Sequence, residues 1–250
     1  MNLHHPKPLT AMLLLAIICN SCQPSASDNS AQKSNGAETQ VANATEWTVL
    51  FDGTTLAGWR GYNMDSLPPN WIQEGNTLKS LGKGGDLGGD IVYGIDQYEN
   101  FELVFEWKIS EGGNSGVFYH VAEDQQYKAP YETGPEYQVI DDIGFPEPLE
   151  EWQSVGADYA MHVAEEGTKR VKPAGEWNTS KILFTPEKAA HWLNGVQLFE
   201  FVPYSEDWEK RRASGKWDSY PDYAKYKTGY IGIQDHGSYT WYRNIKIRKL

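Results

Sequence analysis

Cysteine is nearly absent from this 250-residue sequence, which contains only Cys19 and Cys22. Both precede residue 23, so the rest of the chain cannot form an internal disulfide bond. A folded part must therefore be stabilised by side-chain packing, and the length allows one large β domain or two small ones.

The sequence also lacks an apolar run of the roughly 20 residues that a membrane-spanning helix needs. The longest run, LTAMLLLAIIC at residues 9–19, follows Lys7 and has the length of the apolar region of a signal peptide. Ser21 then precedes Cys22, which resembles the cleavage site of bacterial lipoproteins, where the cysteine is lipidated. We predict a lipoprotein signal peptide over residues 1–21, with Cys22 as the lipid anchor and the earlier cysteine as the alternative. The expected location is the bacterial cell envelope, in the periplasm or at the outer membrane.

Basic residues are scarce, because 22 lysines and arginines stand against 34 aspartates and glutamates, for a formal net charge of −12. Removing residues 1–21 takes away one lysine and no acid, which leaves −13. An acidic surface of this kind repels nucleic acid and anionic lipid. We expect no nucleic-acid partner, whereas a neutral polar ligand is compatible with the charge.

Residues 22–46 contain no aromatic side chain and little to bury, so we predict a flexible tether there. From Trp47 onward, at least eleven short alternating runs are separated by turn residues, with few helical windows. This pattern predicts an all-β fold, a single antiparallel two-sheet sandwich over residues 47–250.

Local signals fix a few details of the predicted fold. Asn194 and Gly195 are typical of a tight type I′ hairpin. One short helix should begin after Ser205, inside a long insertion at residues 203–227. A second insertion, rich in proline and glutamate, covers residues 143–155, and long connections of this kind often bind ligands.

Several predicted strands carry polar groups opposite their apolar residues. In GPEYQVIDD, Tyr137 and Val139 alternate with Glu136 and Gln138, because successive side chains of a strand point to opposite faces. One sheet of a curved sandwich can present such a face as a concave trough suited to a polar chain or ring. We expect the same trough to hold further polar side chains: Glu106, Asn114, His120, His191, Gln234 and His236.

Six segments occur in the order found in a known family: FDGTTLAGW, FELVFEWKISEGGNSGVFYHV, GPEYQVIDD, KPAGEWNTSKI, HWLNGV and GYIGIQDHG with WYRNIKIRKL. From Trp47 to Leu250 the chain resembles the 3-keto-disaccharide hydrolase family, formerly a domain of unknown function in exported bacterial proteins. The resemblance implies a concanavalin-like jelly roll, related in shape to laminin G modules. It also implies cleavage of glycosides already oxidised to a ketone at sugar C3. His120 departs from the family pattern, because many members have arginine there.

A ketone at C3 acidifies the proton on C2, so that a base can remove it, the enolate can expel the C1 substituent, and water can then add. The reaction needs a base near C2, electrophilic groups at the ketone oxygen, and an acid for the leaving oxygen. Our hypothesis assigns Glu136 as the base, with His236 as the alternative. The acid is then His191 or Glu106.

The remaining polar groups are assigned to substrate binding. Gln138 and Gln234 would donate hydrogen bonds to the ketone or to neighbouring hydroxyls, and Asn114, His120 and Trp192 complete the set. A divalent metal could replace one of these donors, but no HxH or HxxxH spacing supports it, so the metal stays unassigned.

The sequence leaves three other interpretations of the function open. Ordinary hydrolysis by two carboxylates is disfavoured, because Ile140 stands where a second acid would accompany Glu136 on its strand. A lectin-like envelope lipoprotein that binds sugars without reaction is the main alternative. A structural module would instead use Trp152, Trp208 and Trp217 of the insertions as partner contacts.

Overall fold

The computed structural model describes residues 46–85 and 89–250. The signal peptide, Cys22 and all of the tether except its last residue lie outside these residues, so their assignments stay predictions. The described part forms thirteen strands: β1 (Thr48–Phe51), β2 (Trp59–Gly61), β3 (Trp71–Glu74), β4 (Thr77–Leu81), β5 (Ile91–Tyr93), β6 (Phe101–Ile109), β7 (Asn114–Val121), β8 (Glu136–Ile140), β9 (Asn178–Thr185), β10 (Lys188–Leu193), β11 (Val196–Phe201), β12 (Tyr230–Ile233) and β13 (Tyr239–Lys249).

The strands form two antiparallel sheets, as the alternating pattern predicts. The larger sheet has eight strands in the order β11, β10, β9, β6, β13, β4, β3, with β1 paired to β13. The smaller sheet has five strands in the order β2, β5, β12, β7, β8. The jelly-roll sandwich expected from the sequence is thereby confirmed.

The two sheets pack face to face on a core rich in aromatic residues. Tyr137 of β8 lies edge-on to Phe105 of β6, with ring centroids 5.4 Å apart. Its hydroxyl accepts a hydrogen bond from Ser180 of β9, whose oxygen in turn accepts one from the indole of Trp107. Burying one such aromatic side chain stabilises the folded state by about 2 to 3 kcal/mol. This gain determines that the Tyr137 face of β8 points inward. The alternate residues of β8 must then point outward.

The turn and helix predictions are also confirmed. Asn194 and Gly195 both adopt positive φ, 49° and 83°, as a type I′ turn requires. Helix α1 spans Glu206–Arg212, and the hydroxyl of Ser205 accepts a hydrogen bond from the backbone of Trp208 at 3.3 Å. Three short 3₁₀ helices lie outside the strands: Pro130–Glu132, Glu151–Gln153 and Gly215–Ser219.

Some local expectations are wrong. The alternating run DYAMHVA, at residues 158–164, predicts a strand, but the carbonyl of Asp158 accepts a hydrogen bond from the backbone N–H of Met161 at 2.8 Å, which closes a turn. Trp208 and Trp217 are each only 1 % exposed, so they are core residues and are not available as partner contacts. Trp152 does remain at the surface. No helix within the described ranges is both long and apolar enough to cross a membrane.

Candidate functional site

A polar trough of about 230 Å³ lies on the outward face of the five-stranded sheet. Nine side chains line it: Asn114, Tyr131, Glu136, Gln138, Tyr159, Lys216, Tyr220, Gln234 and His236. Five of these nine were predicted from strand alternation, and the other four come from loops and insertions. We call this cavity the trough.

The bottom of the trough is formed by β7 and β8. Glu136 and Gln138 point outward from β8 because Tyr137 points into the core. The amide of Gln138 donates a hydrogen bond to the side-chain oxygen of Asn114 on β7 at 3.2 Å. This contact orients the amide and leaves the Glu136 carboxylate beside it.

Gly116 provides the space that the Glu136 carboxylate occupies. A Cβ atom at residue 116 would lie 1.9 Å from Oε1 of Glu136, which is far inside van der Waals contact. The glycine on β7 therefore lets the carboxylate lie across the neighbouring strand. Any larger residue there would displace it.

Gln234 and His236 reach the trough from the segment that follows β12. Between them, Asp235 points the other way and is 1 % exposed. Its Oδ2 accepts hydrogen bonds from the amide of Asn70 at 2.6 Å and from the backbone N–H of Gly84 at 2.9 Å. Asp235 therefore has a structural role, and this anchoring fixes its two neighbours on the trough side.

The walls of the trough come from irregular segments. Tyr131 belongs to the 3₁₀ helix Pro130–Glu132, and Tyr220 and Lys216 belong to the long insertion. The ammonium of Lys216 lies 4.1 Å from the ring centroid of Tyr159. The backbone N–H of Tyr159 donates to the carbonyl of Glu136 at 3.0 Å, which brings this cation–ring pair next to the carboxylate.

Burial is the main influence on the pKa of Glu136, a residue that is only 4 % exposed. Desolvation raises its pKa to about 8, from an ordinary value of 4.5. The positive charge of Lys216 opposes the increase, while the nearby carboxylates of Asp90 and Asp158 add to it. Glu136 is therefore poised to take or release a proton near neutral pH.

Two of the predicted histidines do not reach the trough. His120 lies at a β-bulge with φ of 54°, where β7 has one residue more than β12, so its ring turns toward the core and packs on Phe184. Burial lowers its pKa to about 4. His191 belongs to β10 of the larger sheet and is fully buried, with its pKa also lowered to about 4 by desolvation. Its Nδ1 lies 2.9 Å from the carbonyl oxygen of Gly156.

Glu106 and Trp192 also lie elsewhere, on the solvent side of the larger sheet. Glu106 accepts hydrogen bonds from Arg243 at 2.7 Å and from Asn244 at 2.8 Å. The ammonium of Lys181 lies 3.7 Å from the ring centroid of Trp192. The expectation that these two residues share the trough with Glu136 is wrong, because alternation identifies a face of a strand and not the sheet to which the strand belongs.

Within the residues that the structure describes, no three histidine, cysteine, aspartate or glutamate side chains come together as a metal site. The groups on the trough that could bind a cation are Glu136 and His236. The divalent-metal hypothesis stays a prediction that a chelator can test.

Comparison with known proteins finds relatives over nearly the whole described part. A family model for a 3-keto-alpha-glucoside-1,2-lyase-like domain matches residues 46–248. A 3-keto-disaccharide hydrolase from Bacteroides thetaiotaomicron is 32 % identical over 238 residues, covering 83 % of this chain and 79 % of that protein.

Solved structures agree with this result. A protein from Parabacteroides distasonis, described as a candidate glycosyl hydrolase, superposes with a TM-score of 0.76 at 44 % identity, covering 82 % of this chain and 94 % of that one. A second candidate glycosyl hydrolase from the same organism gives a TM-score of 0.61 at 28 % identity, covering 82 % and 100 % of the two chains. The similarity therefore extends over the sandwich that carries the trough.

Proposed function

The chain belongs to the 3-keto-alpha-glucoside-1,2-lyase-like family, and we propose that it is an enzyme that cleaves glycosides carrying a ketone at C3 of the sugar. The observation that carries the proposal is Glu136, a buried carboxylate of raised pKa at the bottom of a polar trough. A base that takes a proton from carbon benefits from such a pKa, whereas a lectin does not need one.

The proposed reaction begins with proton abstraction from C2, which the C3 ketone acidifies. The C2–H bond breaks, its proton goes to Glu136, and the electron pair forms the enolate. The enolate then expels the C1 oxygen, which takes a proton from an acid as the C1–O bond breaks. Addition of water across the resulting double bond completes a net hydrolysis, and release before hydration gives a lyase product.

The described trough offers a group for each step. Glu136 serves as the base, and the amides of Gln138 and Gln234 donate hydrogen bonds to the ketone or to neighbouring hydroxyls. Lys216 at the rim supplies a positive charge toward the enolate oxygen. His236 takes the role of acid, because His191 and Glu106, the two groups first considered for it, lie outside the trough.

The test is to incubate the purified protein with a 3-keto-disaccharide and with its unoxidised parent, with and without a chelator, and to follow release of the free sugar. Cleavage of the ketone alone is expected. Repeating the reaction in D₂O should place deuterium at C2 of the hydrated product, because C2 regains a hydrogen only when water adds across the double bond. Binding of both sugars without cleavage would refute the enzyme and favour the lectin alternative.

We further propose that the enzyme is an exported lipoprotein of the cell envelope, anchored through Cys22. The support is the sequence of residues 1–22 alone. Metabolic labelling with a radioactive or clickable fatty acid should mark the wild-type chain and not the Cys22→Ala variant. Labelling that persists in this variant would refute Cys22 as the anchor, and Cys19→Ala then tests the other acceptor.

A further inference from the structure

A second depression, of about 480 Å³, shares the lining residue Lys216 with the trough. Trp152, Met161, Val163 and Arg211 line it, and Lys216 lines both cavities. The two long insertions meet here, since one carries Trp152 and the other carries Arg211 and Lys216. We call this depression the platform cleft.

Trp152 is held in place but stays accessible. It is the middle residue of the 3₁₀ helix Glu151–Gln153, whose first turn is closed by reciprocal bonds between Glu150 and Gln153. Its indole lies edge-on to the ring of Tyr159, with centroids 5.2 Å apart. The residue nevertheless remains 36 % exposed. Because Tyr159 also lines the trough, this indole is one ring away from the proposed reaction site.

Arg211 supplies hydrogen-bond donors to the platform cleft. One terminal nitrogen of Arg211 donates to the carbonyl of Met161 at 2.7 Å, and its Nε donates to Asp207 at 2.6 Å. These bonds hold the guanidinium in place while it retains further N–H groups. No acidic side chain is among the described residues that line the cleft.

A cleft lined by an exposed aromatic ring and two cationic side chains matches the chemistry of a pyranose. The C–H groups of a sugar pack on an aromatic surface, and its hydroxyls accept hydrogen bonds from guanidinium and ammonium groups. The trough itself, at about 230 Å³, lies below the roughly 300 to 1,000 Å³ typical of ligand pockets. It therefore fits one ring, and a disaccharide needs a neighbouring site for the second.

We propose that the platform cleft binds the leaving-group sugar, with Trp152 as its stacking surface, while the keto ring occupies the trough. The inference rests on the proposed function, and it adds a second subsite whose proposed sugar contacts, Trp152 and Arg211, belong to the two insertions. Specificity for the leaving group is then set by Trp152 and Arg211, away from the strands that carry the chemistry.

The experiment compares Trp152→Ala with wild type on two substrates, a 3-keto-disaccharide and the matching methyl 3-keto-glycoside. The kcat/KM for the disaccharide should fall about three- to tenfold, mainly through KM, and that for the methyl glycoside should be unchanged. Trp152→Phe should recover most of the loss. Trp192→Ala, on the solvent side of the larger sheet, is the matched control and should affect neither substrate.

Two outcomes would overturn the inference. Equal losses on both substrates would mean that Trp152 supports the trough through Tyr159, and no loss on either would mean that the cleft is not used. If wild type cleaves neither of the two 3-keto substrates, the proposed function fails. The cleft is then tested by titrating the protein with the unoxidised disaccharide and measuring binding. Weaker binding to Trp152→Ala than to wild type then supports the subsite, and equal affinity refutes it.

Discussion

Replacing Glu136 with glutamine should abolish most activity and, at alkaline pH, make the protein more stable. Glutamine keeps the size and polarity of the side chain but carries no charge. Because the folded-state pKa lies above the ordinary value of 4.5, the folded chain keeps its proton longer than the unfolded chain. Wild type therefore loses stability as pH rises from about 4.5 to about 8. The glutamine variant lacks this loss.

The magnitude follows from the two pKa values. A change from 4.5 to about 8, at about 1.4 kcal/mol for each pH unit, corresponds to on the order of 5 kcal/mol above pH 8. At pH 5 nearly all of this difference disappears, because Glu136 is then protonated in the folded chain. The same ionisation controls activity, so wild-type kcat/KM should rise with pH through about 8, and removal of the base should lower kcat about 100- to 10,000-fold.

Urea unfolding at pH 5, 7 and 9 measures the effect, with wild type, Glu136→Gln and the exposed-site control Glu176→Gln side by side. The free energy of unfolding of Glu136→Gln relative to wild type should increase from pH 5 to pH 9, whereas that of Glu176→Gln should stay level. Parallel pH dependences for Glu136→Gln and wild type would refute the reasoning. A folded Glu136→Gln variant with full turnover would refute the catalytic assignment by itself.

Three further substitutions test the placement of the site. Gly116→Ala brings a Cβ into the space of the Glu136 carboxylate, so kcat/KM should fall about 100-fold while circular dichroism shows an intact fold; unchanged kinetics would contradict the close packing. Glu106→Gln lies on the other sheet and should leave kcat/KM unchanged, and a large loss in this assay would contradict that placement. Trp217→Ala should lower the free energy of unfolding by about 3 to 5 kcal/mol, because the indole is buried. It should also reduce kcat/KM, because this indole holds the segment that presents Lys216. A variant as stable as wild type in urea would contradict the core role of Trp217.

Strand alternation was sufficient to identify the bottom of the trough. Glu136 and Gln138 alternate with core residues along β8, and the period of two leaves them no other face. The same rule failed for Glu106, which alternates equally well on β6. Its strand belongs to the other sheet, and sheet membership depends on contacts between residues far apart in sequence, which a local pattern does not contain.

His120 shows a second limit of the same kind. Its position in NSGVFYHVA puts it on the face of Asn114 and Phe118, and regular alternation would have sent it to the trough. One extra residue in β7 opposite β12 reverses which side chains point inward and which point outward beyond it. His120, with φ of 54°, lies at this bulge. A bulge is defined by its partner strand, so the strand's own sequence does not reveal it.

The walls of the trough were not predictable in detail, because Tyr131 and Lys216 lie in segments without a repeating pattern, and the alternation around Tyr159 wrongly predicts a strand. The available signal was the length of the insertions and their aromatic content, which indicated binding loops but not their target. Trp217 shows why. Its partner in the core is Tyr223, stacked at 3.5 Å within the same insertion, so an indole that looked available to a partner instead anchors the loop.

The proposed base and the proposed leaving-group contacts lie on different parts of the chain, so specificity can change separately from the chemistry. The proposed base lies on β8, where the core packing of Tyr137 fixes it, whereas Trp152 and Arg211 lie on connections that can vary in length without disturbing either sheet. The two parts meet through the backbone hydrogen bond from Tyr159 to Glu136. Substitutions of Trp152 or Arg211 should therefore change which leaving group is accepted while the pH dependence of kcat, set by Glu136, stays the same. A shift of that pH dependence in Trp152→Ala would show instead that Trp152 also tunes the base.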